Sequence, residues 1–299
     1  MIGRRRLLRA TGAGLAGLVV MGRAGRARAA SALHEKFVDE LKRLENESGG
    51  GRLGVTLLDT GTGQRVGQRM DERFPMCSTF KVLASGAVLQ TVDAGKENLS
   101  RRIYFSETDL VTHSPETQKH VGPPGMTVAE LCKAAITLSD NTAGNLLLAS
   151  IGGPQGLTAF VRGLGDNMTR LDRAETALNE ALPSDPRDTT TPNAMASDLR
   201  ALVLDGGVLS AKSRTQLADW LAANTTGGKR LRAGLPAAWR VGDKTGSGER
   251  GTANDVAVIW PPDRAPVIVT AYLTGATASA DRQNAVIAAV GRAVTTAFA

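Results

Sequence analysis

Cysteine is almost missing from this chain: Cys77 and Cys132 are the only two in 299 residues. That excludes a disulfide-built scaffold and a C-x-x-C redox or zinc motif. One bond between the two, or two buried thiols, both stay open. Histidine is nearly as scarce. His34, His113 and His120 follow no H-x-H or H-E-x-x-H spacing, so no metal site and no cofactor are expected. Internal repeats and low-complexity tracts are lacking. The apolar run Ala10 to Met21 is too short and too rich in glycine to span a bilayer comfortably.

An excess of charge is also lacking in most of the chain. The net charge of +7 belongs to one end: seven of the 36 Lys and Arg residues, and no acid, fall within residues 1–29. The remainder carries 29 basic against 29 acidic groups. Nothing there calls for a nucleic-acid or anionic-membrane partner. The same end has Arg4-Arg5-Arg6-Leu7-Leu8-Arg9, the apolar run, then Ala27-Arg28-Ala29. A basic region, a short apolar region and a small-x-small site predict a secretory leader over 1–29. The paired arginines resemble a twin-arginine signal. The expected product is a periplasmic or secreted monomer with no stable membrane partner after cleavage.

What is present is a patterned chain of one or two domains' length. Leu33, Phe37, Leu41 and Leu44 predict a helix over 32–47. Leu53, Val55 and Leu57 alternate before Gly61-Thr62-Gly63, predicting a strand and hairpin. Three more strands are expected at Val241–Thr245, Val256–Trp260 and Val267–Leu273, then a terminal helix through Val286, Ile287, Val290 and Val294. The middle reads as helices over 79–92, 127–138, 140–151, 154–163, 192–204 and 211–221. This order implies an α+β fold. Residues 30–74 and 222–299 would share one antiparallel sheet, residues 75–221 would form a helical domain beside it, and a cleft would lie at the junction.

Four segments carry chemistry. In Ser78-Thr79-Phe80-Lys81, the serine and lysine share one face at the head of a helix. The free N–H groups and dipole there favour developing negative charge. A serine hydroxyl needs an adjacent base, and lysine serves as one only when desolvation or a neighbouring cation lowers its pKa. Ser139-Asp140-Asn141 offers a second hydroxyl and an amide, although alone it reads equally as a helix cap. Glu175 and Asn179 lie in a Pro-broken polar loop, where a carboxylate holding water is a hydrolytic base. Arg173 and Asp188 are placed to pin that loop's ends. Lys244-Thr245-Gly246-Ser247 supplies an ammonium and two hydroxyls as an anion pocket. Its glycine on a strand marks close approach by a ligand or another backbone.

Together and in this order, the four segments resemble the class A serine β-lactamases from about residue 33 to the C-terminus. The S-x-x-K, S-D-N and K-T-G set with a loop glutamate is a pattern already described for that family. The resemblance implies a three-layer fold shared with D,D-peptidases and a β-lactam substrate. It implies Ser78 as nucleophile, Lys81 and Glu175 as the candidate bases, and Ser139 as proton relay. It further implies Asn141 for the substrate amide, Asn179 with Glu175 for the water, and Lys244, Thr245 and Ser247 for the carboxylate. Arg230 matches an arginine that supports the carboxylate in some members, since Ala253 stands where others carry one. His113 replaces an aromatic residue common at the cleft entrance. Cys77 and Cys132 match halves of family disulfides whose partner positions are Gly248 and Gly86 here. Two rival readings share the acylating serine: a penicillin-binding D,D-peptidase and a β-lactam sensor.

Overall fold

The computed structural model describes residues 34–298. The expected leader, and the first residues of the helix predicted over 32–47, lie outside the described residues. In chain order, α1 (34–46) precedes β1 (Arg52–Asp59), β2 (Arg65–Gln68) and β3 (Phe74–Pro75). A 3-10 turn, Cys77–Thr79, leads into α2 (Phe80–Asp93). Then come β4 (Arg102–Ile103), β5 (Met126–Thr127), α3 (Val128–Thr137), α4 (Asn141–Ser150) and α5 (Gly153–Gly163). After a long loop, β6 (Thr189–Thr190) leads to α6 (Pro192–Leu199), α7 (Ala211–Ala222) and the single turn α8 (Leu231–Gly234). β7 (Arg240–Gly248), β8 (Thr252–Trp260), β9 (Val267–Thr274) and α9 (Ala280–Phe298) complete the chain.

The main sheet is antiparallel throughout, in the order β2-β1-β9-β8-β7. The strands β1, β9 and β8 carry apolar residues on both faces, and alternate residues serve different cores, as the two-residue strand period requires. Leu53, Val55, Leu57, Val267, Val269, Ala257 and Ile259 pack with Phe37, Leu41 and Leu44 of α1 and Ile287, Val290 and Val294 of α9. Leu58, Val256, Val258, Ile268 and Tyr272 face the helical bulk on the other side. Helix, sheet and helix thus stack as three layers, and the expected α+β arrangement is the one observed.

The helical layer is organised around α2. Every residue from Phe80 to Leu89 is buried, as befits a helix enclosed by neighbours rather than lying on a surface. It contacts α3, α4, α5 and α7. α3 begins at a capping box in which Thr127 and Glu130 bond reciprocally. One expectation differs: the helix predicted over 192–204 ends as α6 at Leu199 and continues as a wider π-type turn, Arg200–Leu204, with Asp205 N donating to Arg200 O.

Candidate active site

Ser78 sits in the 3-10 turn just before α2, and Lys81 one helical turn on. Cys77 holds a left-handed backbone at φ 46°, which turns Ser78 towards the junction of the two layers. Its thiol is buried, and burial pushes its pKa well up. Lys81 is fully buried. Its Nζ donates to Ser78 Oγ (2.9 Å), Ser139 O (2.8 Å) and Asn141 Oδ1 (2.6 Å), with Ser139 Oγ at 3.5 Å. Burial lowers the pKa of Lys81, against the opposing pull of Glu175. The net direction is the one a lysine base requires.

The S-D-N segment reaches the site because Asp140 fixes two loops at once. Its carboxylate caps α4 through Ala143 N (2.9 Å) and accepts from Glu116 N, Thr117 N and Thr117 Oγ1, each at 2.9 Å. Ser139, left-handed at φ 57°, turns its carbonyl to Lys81 and its hydroxyl to Lys244 Nζ at 3.0 Å. The Ser139 hydroxyl therefore stands between two lysines. Asn141 is engaged at both ends of its amide, accepting from Lys81 and donating to Thr112 O at 2.7 Å. His113 is exposed. Its Nε2 lies 3.1 Å from Leu138 O, and its carbonyl accepts from Asn141 N at 2.9 Å.

Glu175 is brought in by the loop after α5. Arg173 Nε pairs with Asp188 Oδ2 at 2.6 Å and Arg173 Nη1 with Glu180 at 2.6 Å, while Asp188 Oδ1 accepts from the backbones of Asp172 and Arg173. Inside that frame Glu175 Oε1 accepts from Ser78 Oγ at 3.0 Å and lies 3.0 Å from Lys81 Nζ. Oε2 accepts from Asn179 Nδ2 at 2.5 Å. The main chain of Glu175 is clamped at both its N–H and C=O by the amide of Asn145, at 2.9 and 3.0 Å. Asn145 belongs to none of the four chemistry-bearing segments. Its only signal was a position four residues after Asn141, on the same helix face.

The opposite wall is β7. Lys244 is fully buried, and its Nζ bonds to Ser139 Oγ and Thr245 O. Burial, and then repulsion from Lys81, hold its pKa well below the usual lysine value. Thr245 Oγ1 meets Thr226 Oγ1 at 2.5 Å, and Ser247 is exposed at the rim. Arg230 reaches this strand from the turn before α8. It donates to Gly246 O and Asn254 O, both at 2.7 Å, and to Ser247 Oγ at 2.6 Å, while Asn284 Oδ1 holds its Nε at 2.8 Å. A Cβ on Gly248 would stand 2.6 Å from Cys77 Sγ. The ten residues to which the resemblance assigns a part in catalysis or substrate binding line one junction. A separate cavity of about 480 Å³ behind the loop, between Arg52, Arg73 and Arg250, includes none of them.

The constellation can deprotonate a buried serine, steady an anion on a cationic strand, and hold a carboxylate against the resulting ester. A model described as "Beta-lactamase enzyme family" matches residues 36–298. The chain is 55% identical to β-lactamase AST-1 of Nocardia asteroides over 255 residues, covering 85% of this chain and 81% of that protein. It is 51% identical to β-lactamase CTX-M-8 of Citrobacter amalonaticus over 259 residues, covering 87% and 88%. Among solved structures, an ancestral (GNCA) class A β-lactamase superposes with a TM-score of 0.86 at 65% identity, covering 88% of this chain and all (100%) of that one. A last-common-ancestor (GNCA4) class A β-lactamase of Gram-negative bacteria gives 0.86 at 65%, covering 90% and 100%.

Proposed function

The chain belongs to the class A β-lactamases, hydrolases of β-lactams, and on that premise we propose that it opens penicillins and cephalosporins through an acyl group on Ser78. Ser78 Oγ attacks the lactam carbonyl carbon as Lys81 or Glu175 takes its proton. The backbone N–H groups of Ser78 and Ser247 receive the oxyanion, where one such donor typically contributes about 3–4 kcal/mol. The C–N bond breaks, and the nitrogen gains a proton through Ser139. Water held by Glu175 and Asn179 then attacks the ester, Glu175 accepts its proton, and Ser78 recovers its own. Asn141 meets the substrate's side-chain amide. Lys244, Thr245, Ser247 and Arg230 meet its carboxylate. In the cell the protein works as an exported monomer that confers β-lactam resistance.

One observation carries this reading over a D,D-peptidase or a sensor: the buried Glu175 carboxylate touches the nucleophile and is oriented by Asn179. A sensor's acyl adduct is meant to last, and a peptidase that lacks such a base stays acylated by the drug although it turns over its own peptide substrate. The test is Glu175→Ala with a penicillin, followed by intact mass and rapid-quench kinetics. A burst followed by near-arrest, with one acyl group on Ser78, is expected. Equal loss of acylation and deacylation would remove Glu175 as the deacylating base. A long-lived adduct on the unaltered protein would make it a trap rather than a hydrolase.

A further inference from the structure

We propose that Asn254 is a positioning residue for the oxyanion hole: its buried amide ties the turn carrying Ser78 to the sheet and so sets that turn against Ser247. The inference rests on the acyl-transfer reading above. Under that reading the two oxyanion donors come from separate segments, Ser78 N–H from the 3-10 turn and Ser247 N–H from β7. Neither segment can fix their separation alone. A displacement of about 1 Å in a reacting group costs on the order of 100-fold in rate.

Asn254 is fully buried on β8. Its Nδ2 donates to Pro75 O at 2.8 Å and Met76 O at 3.1 Å, the two carbonyls immediately before Cys77 and Ser78. Met76 O also accepts from Thr79 N (3.2 Å) and Thr79 Oγ1 (2.8 Å), so the whole turn hangs on the oxygen that Asn254 holds. Asn254 Oδ1 has no hydrogen-bond partner among the described residues. The bonds its side chain makes are those to the turn. The turn needs this support because Cys77 holds a left-handed backbone that non-glycine residues disfavour.

Two further contacts place Asn254 where the site's segments meet. Its partner across the ladder is Gly246 of β7. A Cβ on Gly246 would lie 2.8 Å from Met76 O and 3.3 Å from Cys77 Cβ, so β7 rests directly on the nucleophile turn. The glycine expected to mark a close approach marks this one. The main-chain oxygen of Asn254 accepts from Arg230. One residue therefore joins the nucleophile turn, the strand bearing Ser247 and the carboxylate-facing arginine.

The test compares Asn254→Ala and Gly246→Ala with the unaltered enzyme by thermal melting, penicillin kinetics and inhibition by phenylboronic acid. The boronate adds Ser78 Oγ to boron and leaves an oxygen where the oxyanion would sit. The expected result is a fall in kcat/KM of about 10- to 100-fold, carried mainly by kcat, with the boronate Ki rising by a matching factor. If Asn254→Ala does not fold, Asn254→Ser, which keeps one donor, should show smaller losses that still move in parallel. A purely structural asparagine would lower Tm and leave kcat/KM and Ki within about twofold, which overturns the proposal. A fall in kcat/KM without any change in boronate Ki also overturns it. Failure of the unaltered enzyme to bind boronate at Ser78 would instead overturn the acyl-transfer reading.

Discussion

Lys81 Nζ and Glu175 Oε1 lie 3.0 Å apart with both side chains wholly buried, and the Ser78 hydroxyl bonds to each. A proton leaving Ser78 thus has two acceptors in direct contact, neither of which competes with bulk water. Five protein oxygens lie within 3.5 Å of the ammonium, which favours the charged form. Desolvation opposes them and lowers its pKa.

Lys81→Arg should test that balance. Arginine keeps the charge and cannot release its proton near neutrality. If Lys81 is the acylation base, acylation at pH 7 should fall about 10²- to 10⁴-fold. In the unaltered enzyme the acylation rate should climb with pH through a value below lysine's ordinary 10.5. A rate that stays within threefold in the arginine variant would leave Glu175 as the sole base.

Arg230→Ala should chiefly impair carboxylate recognition. A hydrogen bond involving a charged group contributes about 1.5–3 kcal/mol, so kcat/KM should drop roughly 10- to 150-fold, mostly through KM. Arg230→Lys should not restore it, because a single ammonium cannot span Gly246 O, Asn254 O and Ser247 Oγ together. Unchanged steady-state constants for the alanine variant would remove Arg230 from the binding site.

Arg173→Ala should loosen the loop that delivers Glu175. It leaves Asp188 Oδ2, on a side chain only 1% exposed, without its partner while Oδ1 keeps its two backbone N–H groups, a loss of about 1–3 kcal/mol. Deacylation should slow more than acylation, and the acyl-enzyme should build up during turnover. Equal rates for the two steps, measured by rapid quench, would show that the loop holds its shape without this pair.

Asp198→Asn should stabilise the protein at neutral pH. Asp198 is buried with Oδ2 unpartnered, and burial followed by the nearness of Asp166 pushes its carboxyl well above the ordinary 3.8. The folded chain then keeps a proton that the unfolded chain has released. Stability from this group is fully present near and below pH 3.8 and is lost as pH rises through the folded value. The variant escapes that loss. Its Tm should exceed the parent's by about 2–4 °C per kcal/mol recovered at pH 8, with the gap closing towards pH 4. A constant gap across that range would mean the proton is not involved.

Most of the long strands and helices, and the identity of the candidate site residues, are legible in the chain read end to end. Alternation in Leu53, Val55 and Leu57, the S-x-x-K spacing of Ser78 and Lys81 and the Ser139-Asp140-Asn141 and Lys244-Thr245-Gly246 segments are local patterns, and local patterns survive in one dimension. How those residues act on one another is set when the layers pack together. Ser78 and Lys81 are three residues apart, but Glu175 comes 97 residues after Ser78, and Lys244 reaches Ser139 across 105. The crossing point at Asn254 and the lowered lysine pKa values leave no mark on any single segment, and the clamp of Asn145 on Glu175 leaves only its spacing from Asn141. They arise from burial and from contacts between strands and helices that meet only when the layers close, because the dielectric around a side chain is set by its neighbours in space.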